Sequence, residues 1–183
     1  MNITVYLGAK EGNDPALKRA VQELGQWIGQ SGNALVYGGS KTGLMGEIAK
    51  SVLDAGGTVT GTGQYLKSKK ADVKVVAVEP AGLTELIVTE TITERKTEMI
   101  RRGDAFIAFP GGTGTLEEIA EVMSKVSLKQ LDAPCILYNL NGYYNGLKTL
   151  LDHMIETGLS TKERQEGIWF AENLEQIKQI LKA

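Results

Sequence analysis

The stretch AFIAFPGGTGTLEEI, residues 105–119, passes from an apolar run into a loop of proline, glycine and threonine and then into two adjacent glutamates. The apolar run predicts a buried strand over 105–109, and the apolar period that follows predicts a helix over 116–128. Glycines let backbone N–H groups approach a ligand closely, and a helix start carries partial positive charge. The loop between strand and helix therefore favours a bound phosphate.

The rest of the chain repeats this alternation of short apolar runs and longer stretches of helical period. Such alternation is typical of an α/β fold, a Rossmann-like doubly wound parallel sheet covered on both faces. We expect the strands at 3–7, 34–37, 58–60, 74–78, 85–88, 105–109 and 135–138. We expect the helices at 15–31, 45–53, 92–102, 116–128, 147–155 and 174–181, with an extra helix at about 64–70. The 183 residues are expected to form a single domain over 1–183.

Composition limits the class of function. The 20 Lys and Arg nearly balance the 22 Asp and Glu, so no global field would hold nucleic acid or an anionic membrane. Cys135 lies in an apolar run, which indicates a buried thiol rather than a nucleophile. His153 has no neighbours at metal-ligand spacing, so we expect no metal site. The N-terminus lacks a signal-peptide pattern and no run is long enough to span a membrane, which predicts a cytoplasmic protein.

Three glycine-bearing turns follow predicted strands, at 7–9, 37–40 and 110–115. The carboxyl ends of parallel strands meet at one edge of the sheet, where ligands of this fold class bind. No turn ends in Gly-Lys-Ser/Thr, and the G-x-G-x-x-G pattern of dinucleotide folds is missing. A monophosphate is therefore favoured over a triphosphate or NAD.

The glutamates after the third turn also have a purely structural interpretation. The residues T-L-E-E at 115–118 fit a capping box, with Thr115 as the N-cap and Glu118 reaching back from the third helical position. Both interpretations stay open on this pattern alone.

The predicted helix at 92–102 fits an ordinary solvated face, on which Glu98 would pair with Arg102 and Arg95 would be exposed. Gly103 would end it. However, a cation near a helix start opposes the helix dipole, and Arg95 and Lys96 both stand there. Their position favours a ligand.

Four motifs of the chain resemble the Lonely Guy family, the cytokinin riboside 5'-monophosphate phosphoribohydrolases long described as possible lysine decarboxylases. The motifs are Y-G-G at 37–39, G-L-M-G at 43–46, E-R-K-x-x-M at 94–99 and P-G-G-T-G-T-L-E-E at 110–118. The resemblance implies a homodimer that hydrolyses the N-glycosidic bond of AMP or a cytokinin riboside monophosphate, releasing the base and ribose 5-phosphate.

Carried over by position, the resemblance assigns the catalytic pair to Arg95 and Glu118. It assigns substrate contacts to Lys96, Glu117, Gly38, Gly39, Gly111, Gly112, Thr113, Gly114 and Thr115. A carboxylate at position 118 can stabilise an oxocarbenium-like transition state or activate water. The loop N–H groups can hold the phosphate.

Residues 56–82 depart from this family and resemble a segment of the cysteine synthase family, which predicts a recombined chain, natural or engineered. The lysine motif of that second family is missing, so pyridoxal phosphate is not expected, and we expect no cofactor of any kind. Ala9 and Ser40 replace the Ser and Gly that are usual in the first family. Two alternatives to an active enzyme therefore stay open: a nucleotide-binding protein without turnover, and an engineered scaffold with no selected function.

Overall fold

The computed structural model describes residues 1–67, 74–76 and 82–182. Its strands are β1 Asn2–Tyr6, β2 Ala34–Tyr37, β3 Thr58–Lys67, β4 Lys74–Val76, β5 Glu85–Thr89, β6 Ala105–Ala108, β7 Cys135–Tyr138 and β8 Ile168–Ala171. Its helices are α1 Pro15–Gln30, α2 Gly43–Asp54, α3 Ile92–Arg102, α4 Thr113–Ser127, α5 Asn145–Glu156, α6 Lys162–Gln165 and α7 Leu174–Ile180, with a 3₁₀ turn at Leu140–Gly142.

Within these residues, seven strands form a parallel sheet in the order β5-β3-β2-β1-β6-β7-β8. The chain moves outward from β1 through β2, β3 and β5, then returns to pair β6 with the other side of β1. β1 is therefore the switch point of the sheet, beside which ligands of open α/β folds bind. This order confirms the predicted doubly wound α/β fold.

The sheet is covered on both faces, as the alternation of side chains along β1 shows. Ile3 and Val5 belong to one buried cluster, which they form with α1, α2 and α7. Tyr6 belongs to a second cluster on the opposite face, formed with α3, α4 and α5. Because successive strand residues point to opposite faces, burial on both sides explains why the strands are nearly continuous apolar runs.

The extra helix expected at about 64–70 is wrong over 64–67, because β3 continues to Lys67. Residues Thr60–Gln64 pair with β5 in parallel, and Tyr65–Lys67 pair with β4 in antiparallel orientation, so ladder hydrogen bonds replace helical ones. The extra strand at 74–78 is confirmed for Lys74–Val76. Positions 68–70 and 77–78 of these two predictions lie outside the described residues.

Two further differences concern the ends of elements. β8 was not predicted; its four residues pair with β7 at the sheet edge. α4 begins at Thr113, three residues before the predicted start. This earlier start changes the interpretation of the two glutamates.

Candidate active site

A cavity of about 730 Å³ opens at the carboxyl edge of the sheet, beside β1. Its walls come from the loops after β1 and β6 and from the first turns of α1, α2, α3 and α4. Four helix starts therefore border one cavity, and the partial positive charge of each favours an anion there.

The start of α4 has no side-chain cap. Gly112 is its N-cap residue, and no side chain accepts a hydrogen bond from the first turn. Thr115 lies inside the helix and is buried, so the capping box predicted for Thr115 and Glu118 is wrong. The first-turn N–H groups stay available at the cavity wall, as a helix start that binds an anion requires.

Glu118 pairs instead with Arg95 from the neighbouring helix. Arg95 Nη1 donates to Glu118 Oε1 at 3.1 Å, and Arg95 Nε donates to the carbonyl oxygen of Thr62 at 3.0 Å. The two side chains are only 11% and 12% exposed. The solvated face expected for Arg95 is therefore wrong, although Glu98 and Arg102 of the same helix pair as predicted.

Burial sets the protonation behaviour of Glu118. Desolvation raises the pKa of this carboxyl above its ordinary value, while the charge and hydrogen bond of Arg95 act in the opposite direction. Perturbed carboxyl groups in a cleft are typical of acid–base sites, so Glu118 is the strongest candidate in the cavity for proton transfer.

A second set of ion pairs borders the cavity on its outer side. Lys96 Nζ contacts Glu117 Oε1 and lies 3.1 Å from Glu121 Oε2. The hydrogen bonds that Lys96 donates to these carboxylates raise its pKa, so it stays charged. The charge of Lys96 is thus largely committed to the α4 glutamates.

Most of the site residues expected from the sequence come together. The cavity is lined by Arg95, Lys96, Gly111, Gly112, Thr113, Gly114, Thr115, Glu117 and Glu118. Gly38 and Gly39 lie outside this lining. A Cβ atom on Gly38 would collide with Arg95 Nη2, so Gly38 leaves the space that the guanidinium occupies.

Sequence reasoning missed part of the lining. The apolar residues that were not expected there are Leu17, Leu44, Met45 and Ile92, whereas Leu7 and Ala9 belong to the turn at 7–9 predicted for this edge. Lys10 and Tyr143 also line the cavity. Lys10 follows the first glycine turn, so its place at the sheet edge was a usable signal, whereas nothing local to Tyr143 indicated a site 32 positions after Gly111.

Two tyrosines form hydrogen bonds to the backbone of the loop after β6. The Tyr143 hydroxyl donates to the Gly111 carbonyl, and the Tyr144 hydroxyl donates to the Phe109 carbonyl at 2.9 Å. The two rings stack edge to face at 4.9 Å. The carbonyls of Gly111 and Phe109 thus accept hydrogen bonds from side chains of the same chain, which restrains the loop.

Other candidate groups lie apart from this cavity. Cys135 is fully buried, and burial raises its thiol pKa, which agrees with the predicted inert role. His153 is exposed, with Nδ1 3.4 Å from Glu156 Oε2. Within residues 1–67, 74–76 and 82–182, no three His, Cys, Asp or Glu side chains are grouped to hold a metal ion. No helix of those same ranges is long and apolar enough to cross a membrane.

The fold and the site define a Rossmann-like α/β protein whose cavity combines an uncapped helix start with a buried ion pair. Comparison with known families then identifies it further: the chain belongs to the family described as "Possible lysine decarboxylase", whose model matches residues 45–181.

Individual relatives agree with this assignment. The chain is 36% identical to a cytokinin riboside 5'-monophosphate phosphoribohydrolase of Rhodococcoides fascians, over 95% of this chain and 85% of that protein. It is 35% identical to one of Arabidopsis thaliana, over 99% and 77%. Among solved structures, the molybdenum cofactor carrier protein of Chlamydomonas reinhardtii superposes with a TM-score of 0.70 at 22% identity, covering 100% of this chain and 98% of that one. That last likeness concerns the fold alone.

Proposed function

We propose that this protein hydrolyses the N-glycosidic bond of a nucleoside 5'-monophosphate, such as AMP or a cytokinin riboside monophosphate. The observation that carries the proposal is the buried Arg95–Glu118 pair, which lines the same cavity as the uncapped start of α4. One element suits a phosphate and the other suits the sugar carbon at which the bond breaks.

The phosphate is assigned to the loop from Gly111 to Thr115. Oriented backbone N–H groups and the α4 dipole favour an anion at this place. Glycines at 112 and 114 leave the approach unobstructed, since a Cβ atom on either would meet nothing within 4 Å, whereas a Cβ atom on Gly111 would collide with Thr115 Oγ1. We infer that the phosphate anchors the nucleotide and that the sugar extends toward Glu118.

The chemistry is assigned to Glu118. As the bond between C1' and the base nitrogen breaks, its electron pair leaves with the base and positive charge develops on the ribose. The carboxylate stabilises that charge and takes a proton from the attacking water, whose oxygen forms the new bond to C1'. Glu118 passes the proton taken from water to the departing base, so the carboxylate is restored and the products are free base and ribose 5-phosphate.

Arg95 has two tasks in this proposal. Its bond to Glu118 fixes the carboxylate and lowers its pKa against the effect of burial, so that the carboxylate form is available. Its guanidinium also lines the cavity and can contact the nucleotide. The names of the two curated relatives support the same reaction class.

The direct test is to incubate the protein with AMP and to measure adenine and ribose 5-phosphate, with adenosine as the substrate that lacks only the phosphate. We expect equimolar release from AMP and little from adenosine. Binding of AMP without release would select the nucleotide-binding protein instead. Neither binding nor release would select the scaffold without selected function.

We also propose that the protein acts as a homodimer, on the strength of the family resemblance. The apolar side chains Ile119, Val122 and Met123 of α4 do not support it, because they are buried in the core. Exposed Leu116 of α4 and Leu150 of α5 are the apolar side chains on these helices that an interface would cover. A monomer mass from sedimentation at micromolar concentration would contradict this proposal.

Three further points stay predictions: the single domain, the cytoplasmic location, and the recombined origin of residues 56–82. The Arabidopsis relative aligns over 99% of this chain, which gives no support to a foreign segment. A search for the same 56–82 pattern in close relatives would decide the origin.

A further inference from the structure

The charged side chains that line the cavity differ in whether they form ion pairs. The cations are Lys10, Arg95 and Lys96, and the anions are Glu117 and Glu118. Arg95 is held by Glu118, and Lys96 by Glu117 and Glu121. In the part of the chain that the structure describes, Lys10 forms no ion pair and no side-chain hydrogen bond. Three positive charges and two negative charges leave the lining with a net charge of +1.

The backbone that carries Lys10 is held against the phosphate loop. A Cβ atom on Gly8 would lie 3.8 Å from the Cα atom of Gly111, so the loops after β1 and β6 are in contact. On the other side, Gly43 begins α2 with a φ of +56°, and a Cβ atom there would overlap the carbonyl of Ala9 and lie 2.8 Å from Lys10 N. Lys10 therefore extends from a segment packed between two helix starts.

Neither Ala9 nor the start of α4, the neighbours of Lys10, supplies a full positive charge to an anion. The methyl of Ala9 offers no hydrogen bond, and the α4 start supplies directed N–H groups but no full charge. A monophosphate ester carries about −1.5 to −2 at neutral pH. A net charge of +1 together with partial helix charges matches one phosphate better than two or three.

We propose that Lys10 is the residue that recognises the charge of the 5'-phosphate, and that it makes the site specific for a monophosphate over the uncharged nucleoside. The inference deepens the proposed function and rests on it for the identity of the nucleotide. The ammonium group acts as a mobile point charge on a flexible stem, so it neutralises the phosphate without fixing its orientation.

The test uses the whole protein with Lys10→Gln, and measures the affinity for inorganic phosphate and for AMP by calorimetry at two salt concentrations. We expect each affinity to fall about tenfold, and its dependence on salt to weaken, because one charge contact is lost. Lys10→Arg should restore most of the affinity. In steady-state assays, the loss of kcat/KM for AMP should lie mainly in KM.

Lys41→Gln is the matched control, since Lys41 is an exposed loop lysine outside this cavity. It should leave both affinities unchanged. If Lys10→Gln binds phosphate and AMP like the parent protein, or if Lys41→Gln weakens them equally, the inference is overturned.

Failure of the proposed function would look different. If the parent protein binds phosphate and AMP but releases no adenine, and Lys10→Gln still weakens binding tenfold, the hydrolase proposal fails and the role of Lys10 stands. A parent protein that binds neither ligand would overturn the inference as well.

Discussion

The starts of α3 and α4 carry the same sequence pattern and use it in opposite ways. At α3, Glu94 N donates to Thr91 Oγ1 at 3.1 Å and Thr91 N donates to Glu94 Oε2 at 3.2 Å, which completes a capping box. At α4, the corresponding Thr115 and Glu118 make no such bonds. One helix start is closed by its own side chains and the other is open to the cavity.

This difference indicates that a helix start without a side-chain cap can mark a binding site when the glutamate of its capping-box pattern pairs with another residue. Capping a helix start with a side chain is worth about 1 kcal/mol, and α4 does without it. The glutamate that would have closed α4 instead pairs with Arg95 of α3. Four predictions break or sharpen this comparison.

The largest effect is expected for Glu118→Gln, compared with Glu94→Gln. The neutral amide at 118 cannot take a proton from water or stabilise positive charge on the ribose, so adenine release should fall on the order of a hundredfold or more. It also leaves Arg95 without its charge partner, so the free energy of unfolding should fall by about 1–3 kcal/mol.

Glu94→Gln keeps an acceptor for the cap, so we expect normal adenine release and a stability within about 1 kcal/mol of the parent protein. Rates come from the adenine assay and stabilities from urea unfolding. Equal rates for the two variants would mean that Glu118 has no part in the reaction.

A second, smaller effect is expected for Gly112→Val at the open helix start. A Cβ atom on Gly112 meets nothing within 4 Å, and its φ of −84° suits any residue, so the chain should fold. The branched side chain would project into the space of the ligand, so AMP affinity should fall at least tenfold.

Gly146→Val serves as the control, because Gly146 of α5 also has open space around it and lies outside the cavity. Calorimetry with AMP and far-ultraviolet circular dichroism check both variants. Equal loss of affinity in both variants would show that the effect of Gly112→Val does not come from a ligand contact at the start of α4.

The third prediction concerns pH. Because burial raises the pKa of Glu118 above 4.5, adenine release should decline with falling pH at a pH higher than an ordinary glutamate would give. Arg95 lowers this pKa, so Arg95→Gln should move the acid limb to higher pH. A kcat profile that declines only below pH 4.5 would contradict the assignment.

The raised pKa of Glu118 also makes the free energy of unfolding depend on pH. The folded carboxyl binds its proton more tightly than the unfolded one, so this contribution is present at low pH and is lost as pH rises through the raised pKa. The difference in unfolding free energy between the parent and Glu118→Gln should therefore depend on pH in this window.

The smallest effect is expected for Thr91→Ala at the closed helix start. Losing the hydroxyl that accepts from Glu94 N should lower the free energy of unfolding by about 1 kcal/mol. AMP affinity should stay the same, because Thr91 does not line the cavity. Urea unfolding and calorimetry measure the two quantities, and a drop in affinity would tie the α3 cap to the site.

The sequence predicts the fold well because nearly continuous apolar runs record burial on both sheet faces, as in β1 and β7. It fails where pairing with a neighbouring strand decides the structure. Residues 64–67 become strand because β4 and β5 offer ladder partners, and β8 forms by pairing with β7 at the sheet edge.

The candidate site follows the same rule. The loop at 110–115 and the two charged helix starts are visible as patterns, so their meeting at one edge is predictable. Glu118 pairs with Arg95 instead of capping α4, and Tyr143 donates to the Gly111 carbonyl. Both contacts join residues far apart in the sequence, so no local pattern predicts them.

The hydroxyls of Tyr143 and Tyr144 bear on the thermodynamics of ligand association. Because they donate hydrogen bonds to the Gly111 and Phe109 carbonyls of the same chain, much of the loss of loop entropy occurs during folding. The loop then resembles a rigid receptor, and in the proposed complex a phosphate would meet amide groups that are already aligned. Affinity at this site would thus depend on Tyr144, which lies outside the cavity lining, as well as on Tyr143, which is part of it.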